Sequence, residues 1–177
     1  WQTRSSTRKP AGKPCRPTAT RAFDDAGPIR AMQEVDLEAV LAIETAAQLT
    51  PWSRSHFLDC LGNAHYLCQV VEVEGQPAAF LIMSRILDET HVLNIAVAPA
   101  RQRQGLARGL LEQAIDAARR DAMSVIYLEV RESNHSARVL YESLGFTVSG
   151  IRKNYYRRGD GHEDAVLMQC LLASGHK

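Results

Sequence analysis

The sequence predicts an α/β protein (mixed α+β) built on one central mixed β-sheet that is flanked by helices. Extended apolar runs at residues 66–73 and 78–86 enclose a turn and predict a β-hairpin, and a third run ends at residue 97. A single strand–loop–helix–strand unit follows. Such a crossover joins two parallel strands in a right-handed sense, so antiparallel and parallel pairs share one sheet.

Length and composition indicate one globular domain. The chain has 177 residues, of which 45% are hydrophobic and 23% charged. No run approaches the roughly 18 apolar residues that a membrane span needs. The four cysteines form no C-x-x-C pair and have no metal-ligand spacing with the six histidines. This pattern is typical of a reduced, cytoplasmic protein without structural zinc.

The first 28 residues predict a basic extension in front of a folded domain at residues 29–177. Six of the 21 Lys and Arg residues fall within positions 1–22, which hold no acidic residue, and the remainder has 15 basic against 20 acidic residues. Because this segment is rich in Ser, Thr and Pro and has little to bury, we expect it to be disordered. Its composition also fits a transit peptide, whereas an RNA-binding arm would need interleaved aromatic residues.

Two helices are predicted before the hairpin. Apolar residues recur at helical spacing over residues 37–44, and Asp36 is placed to cap that helix. A second, shorter helix is predicted over residues 56–61, with Ser53 or Ser55 as its cap.

The second half of the chain continues with two more helices and three strands. The third helix runs from a glycine-containing loop to about residue 120. Asn134 can cap the fourth helix, at residues 135–144, and Gly145 stands where a left-handed C-terminal cap is expected. Strands are predicted at residues 125–130, 146–152 and 165–172.

The run Gln102-Arg103-Gln104-Gly105-Leu106-Ala107-Arg108 has the composition of an anion site at a helix start. The first helical turn has N–H groups without intrahelical partners, and the helix dipole there favours negative charge. Gly105 lets a phosphate approach closely, and Ala107 does nearly the same. Positive charge comes from Arg101, Arg103 and Arg108. A solvated basic surface is the alternative interpretation.

The loop does not match the nucleotide-binding loops of similar composition. It lacks the G-x-G-x-x-G of dinucleotide-binding proteins and the G-x-x-x-x-G-K-S/T of the P-loop. The sequence therefore predicts a ligand that carries a pyrophosphate but is not a standard nucleotide cofactor.

Further motifs identify a family. The glycine loop reads Q/R-x-x-G-x-G/A, and the other motifs are Pro-Trp-Ser (51–53), Leu-Asn-Ile-Ala-Val (93–97), Leu-Glu-Val-Arg-Glu-Ser-Asn (128–134), Leu-Tyr-Glu-Ser-Leu-Gly-Phe (140–146), Asn-Tyr-Tyr (154–156) and Glu-Asp-Ala (163–165). Together they resemble the GNAT acetyltransferases, and within that superfamily the RimI-type ribosomal-protein alanine N-acetyltransferases. The resemblance covers residues 29–172 and leaves the basic extension out.

The resemblance implies the GNAT acyl-CoA N-acyltransferase fold and acetyl-CoA as co-substrate, without a metal. The pyrophosphate would bind the loop amides of Arg103, Gln104, Gly105, Leu106, Ala107 and Arg108. The pantetheine arm would bind the main chain of Ile95, Ala96 and Val97, whose side chains pack in the core. Asn134 would contact the co-substrate, a role compatible with that of helix cap.

Glu129 and Tyr141 are the catalytic pair that the resemblance implies. Glu129 interrupts an apolar strand, where a buried carboxylate is costly, and would act as general base. The alternatives are a salt bridge to Arg131 or a solvated strand face. Tyr141 lies two helical turns after Asn134 and would be the general acid for the departing thiolate; otherwise it is a core aromatic residue. Direct transfer without an acyl-enzyme is expected.

The acceptor implied by the resemblance is the N-terminal alanine of a small-subunit ribosomal protein, with neither nucleic acid nor membrane as a direct partner. Tyr155, Tyr156, Glu163 and Asp164 match family positions near the peptide groove, although a charged hairpin turn explains them nearly as well. Two alternative functions stay open. One is acetylation of another amine, such as a small molecule or a broader set of protein N-termini, and the other is a catalytically silent acyl-CoA-binding module.

Overall fold

The computed structural model describes residues 27–172, so the predicted basic extension at residues 1–28 lies almost wholly outside the described part of the chain. The strands within that part are β1 (Ile29–Ala31), β2 (Tyr66–Val73), β3 (Gln76–Ile86), β4 (Glu89–Val97), β5 (Val125–Arg131), β6 (Thr147–Arg158) and β7 (Gly161–Leu171). The α-helices are α1 (Leu37–Ala47), α2 (Arg54–Leu61), α3 (Leu106–Arg120) and α4 (His135–Ser143).

The strands form one mixed sheet in the order β1-β2-β3-β4-β5-β7-β6. Within residues 27–172, β4 and β5 are the one parallel pair, and α3 connects them. All the other neighbours are antiparallel. The predicted mixed sheet flanked by helices is therefore confirmed.

The sheet is covered by helices on opposite faces. Alternate residues of β2 and β3 enter two cores, since successive strand side chains point to opposite sides. One core joins the sheet to α3 and α4 and contains Leu81, Leu110 and Ile126. The other joins it to α1 and α2 and contains Phe57 and Phe80. Among the described residues, no helix is long and apolar enough to cross a membrane.

Three local predictions differ from the structure. The strand β1 was not predicted, because three residues are too few to show alternation. The closing strands β6 and β7 extend beyond the predicted spans, through polar residues that show no apolar alternation. Asp36 is the N-cap residue of α1, as predicted, but its side chain does not cap the helix: the carboxylate instead accepts hydrogen bonds from the Arg30 guanidinium and the Gln33 amide, at 2.7 and 2.8 Å.

The parallel strands β4 and β5 pair only at their beginnings. Their register runs from Glu89 opposite Val125 to Val92 opposite Leu128. At the next residue, Leu93, the register between β3 and β4 shifts by one, which is a β-bulge. Beyond the bulge β4 remains paired with β3 and leaves β5. We call the resulting space between the second halves of β4 and β5 the gap.

We expect Leu81→Ala to lower the free energy of unfolding by about 2–5 kcal/mol, because it leaves a cavity in the core under α3. Leu81 is fully buried on β3, whereas Leu87 in the following turn is 93% exposed. Leu87→Ala is the matched control and should change the free energy by no more than about 0.5 kcal/mol. Urea denaturation measures both, and equal effects would contradict this description of the core.

Candidate active site

Three cavities that share lining residues lie along the gap. The first has a volume of about 650 Å³ and lies between β4, the start of α3 and α4. The second, of about 590 Å³, lies beside Trp52, β5 and the β6–β7 hairpin. The third, which we call the joining cavity, measures about 180 Å³ and shares lining residues with both of the others. A ligand in the first cavity and one in the second would therefore meet at the joining cavity.

The start of α3 supplies main-chain donors to the first cavity. Its N-cap is Gly105, at a left-handed φ of 86°, and no side chain caps the helix. The first bond within the helix is donated by the Gly109 amide to the Gly105 carbonyl, at 3.0 Å. The amides that precede Gly109 have no intrahelical acceptor, and residues 105–108 line the cavity. This arrangement suits an anion, as the sequence predicted.

The arginines around this helix start have different partners. Arg101 pairs with Glu74 at 2.5 Å, and Arg108 donates to the Ser143 hydroxyl at 2.7 Å. Arg103, at a φ of 63°, lines the cavity and has no ion pair within the described residues. Its guanidinium is therefore available to a ligand.

Two glutamines of the loop make main-chain contacts. Gln104 does not line the first cavity, because its side chain turns back to the Ala100 carbonyl at 3.4 Å. Gln102 does line it and donates to the Val97 carbonyl at 3.3 Å. The side chains of these residues therefore help to hold the loop against the end of β4.

The second half of β4 forms one wall of the first cavity. Ile95, Ala96 and Val97 line it. Each is paired with β3 on one side, while the other edge of the strand faces the gap. Main-chain groups on that edge have no strand partner, although the Ile95 and Val97 carbonyls accept from the Gln48 and Gln102 side chains at 3.4 and 3.3 Å. The amides of this edge therefore remain for an extended ligand.

The predicted base, Glu129, lies where the second cavity meets the joining cavity. Its side chain is 31% exposed and forms a salt bridge with Arg152, whose Nη1 lies 2.9 Å from Glu129 Oε1. The alternative prediction of a salt bridge to Arg131 is wrong, since Arg131 pairs with Glu163 at 3.5 Å. The carboxylate thus stands at the cavity surface with an exposed cation as its partner.

Tyr141 and Asn134 approach the joining cavity from the other side and also line the first cavity. Burial raises the pKa of the Tyr141 hydroxyl, so the phenol stays protonated. The predicted cap at Asn134 is confirmed, because its side chain accepts from the Ala137 amide at 3.2 Å. The joining cavity therefore brings together a carboxylate, Glu129, and a protonated phenol.

The acidic residues of the β6–β7 hairpin are bound by the protein itself. Glu163 accepts from the Ser133 amide at 2.6 Å, and hydrogen bonding with the Ser133 side chain, together with that amide, lowers the pKa of the Glu163 carboxyl. Asp164 pairs with Lys153 at 2.6 Å, and that contact lowers its pKa. These contacts favour the charged-turn interpretation of Glu163 and Asp164. In contrast, Tyr155 and Tyr156 both line the second cavity.

Sequence reasoning missed a buried carboxylate at the centre of the site. Glu44 on α1 is fully buried and lines the joining cavity. Its Oε1 accepts from the Trp52 amide at 2.8 Å and from Asn94 Nδ2 at 3.1 Å. Burial raises the pKa of this carboxyl. The sequence did contain an indication that Glu44 is buried, since Glu44 falls on the apolar face of the predicted helix together with Leu37 and Val40.

No group of three or more His, Cys, Asp or Glu side chains within residues 27–172 is arranged to hold a metal ion. The three cysteines of that part, Cys60, Cys68 and Cys170, are buried. Burial raises the pKa of the Cys68 thiol to about 12, which disfavours the reactive thiolate.

The sequence profile of the acetyltransferase (GNAT) family matches residues 33–146. The chain belongs to this family of acetyltransferases. It is 44% identical over 145 residues to the ribosomal protein bS18 alanine N-acetyltransferase of Escherichia coli, a match that covers 82% of this chain and 97% of that protein. A putative enzyme of the same description from Bacillus subtilis is 36% identical over 147 residues, covering 81% and 95% of the two chains.

Solved structures agree with these relatives. The crystal structure of the ribosomal-protein-S18-alanine N-acetyltransferase from Escherichia coli has a TM-score of 0.80 and 41% identity to this chain. The structural match covers 85% of this chain and 96% of the chain in that crystal structure. Ard1 from Thermoplasma volcanium, at 24% identity and a TM-score of 0.75, shares the fold. The predicted GNAT fold and the RimI-type resemblance are confirmed.

We expect Glu163→Gln to lower the free energy of unfolding near neutral pH by about 1–3 kcal/mol, because Ser133 and Arg131 lose a charged acceptor. The folded-state pKa of Glu163 is lowered. Its stabilisation is therefore present above the unfolded pKa of about 4.3 and is lost as the pH falls through the folded value.

Urea denaturation near pH 7 and near pH 3 measures this effect. The difference between the native chain and Glu163→Gln should shrink at the lower pH. Glu132→Gln, at an exposed position of the adjacent loop, is the control. A difference that grows on acidification would contradict the structural role of Glu163.

Proposed function

We propose that this chain transfers the acetyl group of acetyl-CoA to the α-amine of the N-terminal alanine of a small-subunit ribosomal protein. The observation that carries the proposal is the joining cavity, which connects an anion-binding cavity to an aromatic-lined cavity and is lined by Glu129 and Tyr141. The bacterial relatives described above are named for this reaction. We expect the enzyme to work in the cytoplasm, without nucleic acid or membrane as a direct partner.

The first cavity is the proposed site for acetyl-CoA, and no metal takes part. The amides at the start of α3 and the free Arg103 side chain suit the pyrophosphate. The unpaired edge of Ile95, Ala96 and Val97 suits the amide groups of the pantetheine arm, which pair with main chain in the manner of an added strand. Asn134 has its side-chain oxygen on the helix cap, and its amide nitrogen remains for the ligand.

Glu129 is the proposed general base. An attacking amine must be neutral, and an α-amine with a pKa near 7.7–8.0 is already about 10% neutral at pH 7, whereas a lysine is below about 0.1%. Removal of one proton, directly or through a water, is then sufficient. The Arg152 partner of Glu129 is half-exposed, so a cationic amino terminus can compete with it for the carboxylate.

Tyr141 is the proposed general acid. The new C–N bond forms as the C–S bond breaks, and the departing sulfur takes up negative charge. Burial raises the pKa of the Tyr141 phenol and keeps it protonated, so the proton is in place when that charge develops. Its hydroxyl then donates to the sulfur. No acyl-enzyme is needed, and the buried cysteines take no part.

We expect the enzyme to acetylate a peptide that begins with free alanine and to leave its N-blocked, lysine-containing counterpart unmodified. The reason is the difference in neutral amine between the two groups, reinforced by the position of Glu129. Mass spectrometry of both peptides after incubation with acetyl-CoA measures the outcome. Equal modification of the blocked peptide would refute the α-amine acceptor. Binding of acetyl-CoA without modification of any peptide would favour the silent binding module.

We expect Glu129→Gln and Tyr141→Phe each to lower kcat by about 10²-fold or more, because each removes one proton-transfer group. The dissociation constant of acetyl-CoA, measured by calorimetry, should change little, since neither group binds the pyrophosphate. Glu132→Gln, three residues from Glu129 and outside the three cavities, is the control for charge. Turnover that is unchanged in Glu129→Gln would exclude the proposed base.

A further inference from the structure

We propose that Glu44 is a positioning residue that couples the acetyl-CoA side of the site to its acceptor side. The inference rests on the proposed function, because it assigns acetyl-CoA to the first cavity and the acceptor to the second. Glu44 belongs to neither wall. Instead it lies on α1 behind the joining cavity and holds one element of each wall by a hydrogen bond.

The first contact of Glu44 reaches the strand on the acetyl-CoA side. Its Oε1 accepts from Asn94 Nδ2 at 3.1 Å, and Asn94 is the residue that follows the bulge at Leu93. Asn94 in turn accepts from Gln48 Nε2 at 3.2 Å, and the same nitrogen lies 3.4 Å from the Ile95 carbonyl. Glu44 therefore fixes β4 at the point where it leaves β5.

The second contact reaches the acceptor side. The same Oε1 accepts from the Trp52 amide at 2.8 Å. Trp52 lines the second and joining cavities, and its ring packs against His56 and Phe57 at centroid distances of 5.8 and 5.6 Å. A displacement of β4 is thus transmitted through one buried oxygen atom to the wall of the acceptor cavity.

The hydrogen-bond pattern shows which property of Glu44 matters. Both bonds converge on Oε1, while Oε2 is buried without a partner among the described residues. An accepting oxygen is therefore required, and a second carboxylate oxygen is not. A glutamine has one such oxygen and the same shape. Leucine has a similar volume and no acceptor.

The test uses the intrinsic fluorescence of Trp52. The chain has two tryptophans, so Trp1→Phe leaves Trp52 as the single reporter. In that background we expect acetyl-CoA to change the Trp52 emission, and Glu44→Leu to abolish this change while calorimetry still detects acetyl-CoA binding. Glu44→Gln should restore the response. With the alanine peptide, Glu44→Leu should lower kcat about tenfold or more, because small misplacements of reacting groups are costly.

Two further variants keep the test decisive. Asn94→Leu removes the β4 donor to Glu44 Oε1, leaves the buried carboxyl in place and should weaken the response, so the test remains available if Glu44→Leu does not fold. Asp36→Asn is the matched control, because Asp36 is a buried carboxylate paired with Arg30 that lines none of the three cavities. It should lower stability without changing the Trp52 response.

Three results would overturn the coupling. They are a wild-type response that is absent although acetyl-CoA binds, a full response in the soluble Glu44→Leu or Asn94→Leu variant, and a loss in Glu44→Gln equal to that in Glu44→Leu. Failure of the proposed function looks different. The Trp52 response would then persist and depend on Glu44, while the alanine peptide would stay unmodified.

Discussion

The divergence of β4 from β5 at the Leu93 bulge is the constraint on which the rest of the site depends. While the strands are paired, up to Val92 and Leu128, their main-chain groups satisfy one another. Past the bulge β4 keeps β3 as its strand partner, and a row of its donors and acceptors faces the gap. The same gap lets the starts of α3 and α4 reach one end of the site and Trp52 the other.

The carboxylates near the gap divide into those that hold the structure and one that stays accessible. Glu163 and Asp164 are bound to Ser133 and Lys153, and their removal would loosen the β6–β7 hairpin. Glu129 instead pairs with Arg152, whose side chain is 51% exposed. Exposed ion pairs contribute little to stability, so this pair can open for an incoming cation without weakening the fold.

Local sequence signals predicted most elements, because caps and glycines act over a few residues; Gly145 adopts the expected left-handed φ, at 93°. The bulge at Leu93 could not be predicted, since an extra residue inside a continuous apolar run has no local signature. The Glu129–Arg152 ion pair could not be predicted from the sequence either. It joins β5 to β6 across the intervening β7, and that strand order follows from the whole sheet.

The groups that the proposed acetyl-CoA site offers to its ligand are largely main-chain atoms, at the start of α3 and along the edge of β4. Any substitution other than proline leaves the main-chain amide in place, so this surface depends little on which side chains it carries. The constraint falls instead on backbone shape, above all at Gly105 with its positive φ. Side-chain substitutions in the loop that keep this backbone shape should therefore preserve the main-chain donors of the site.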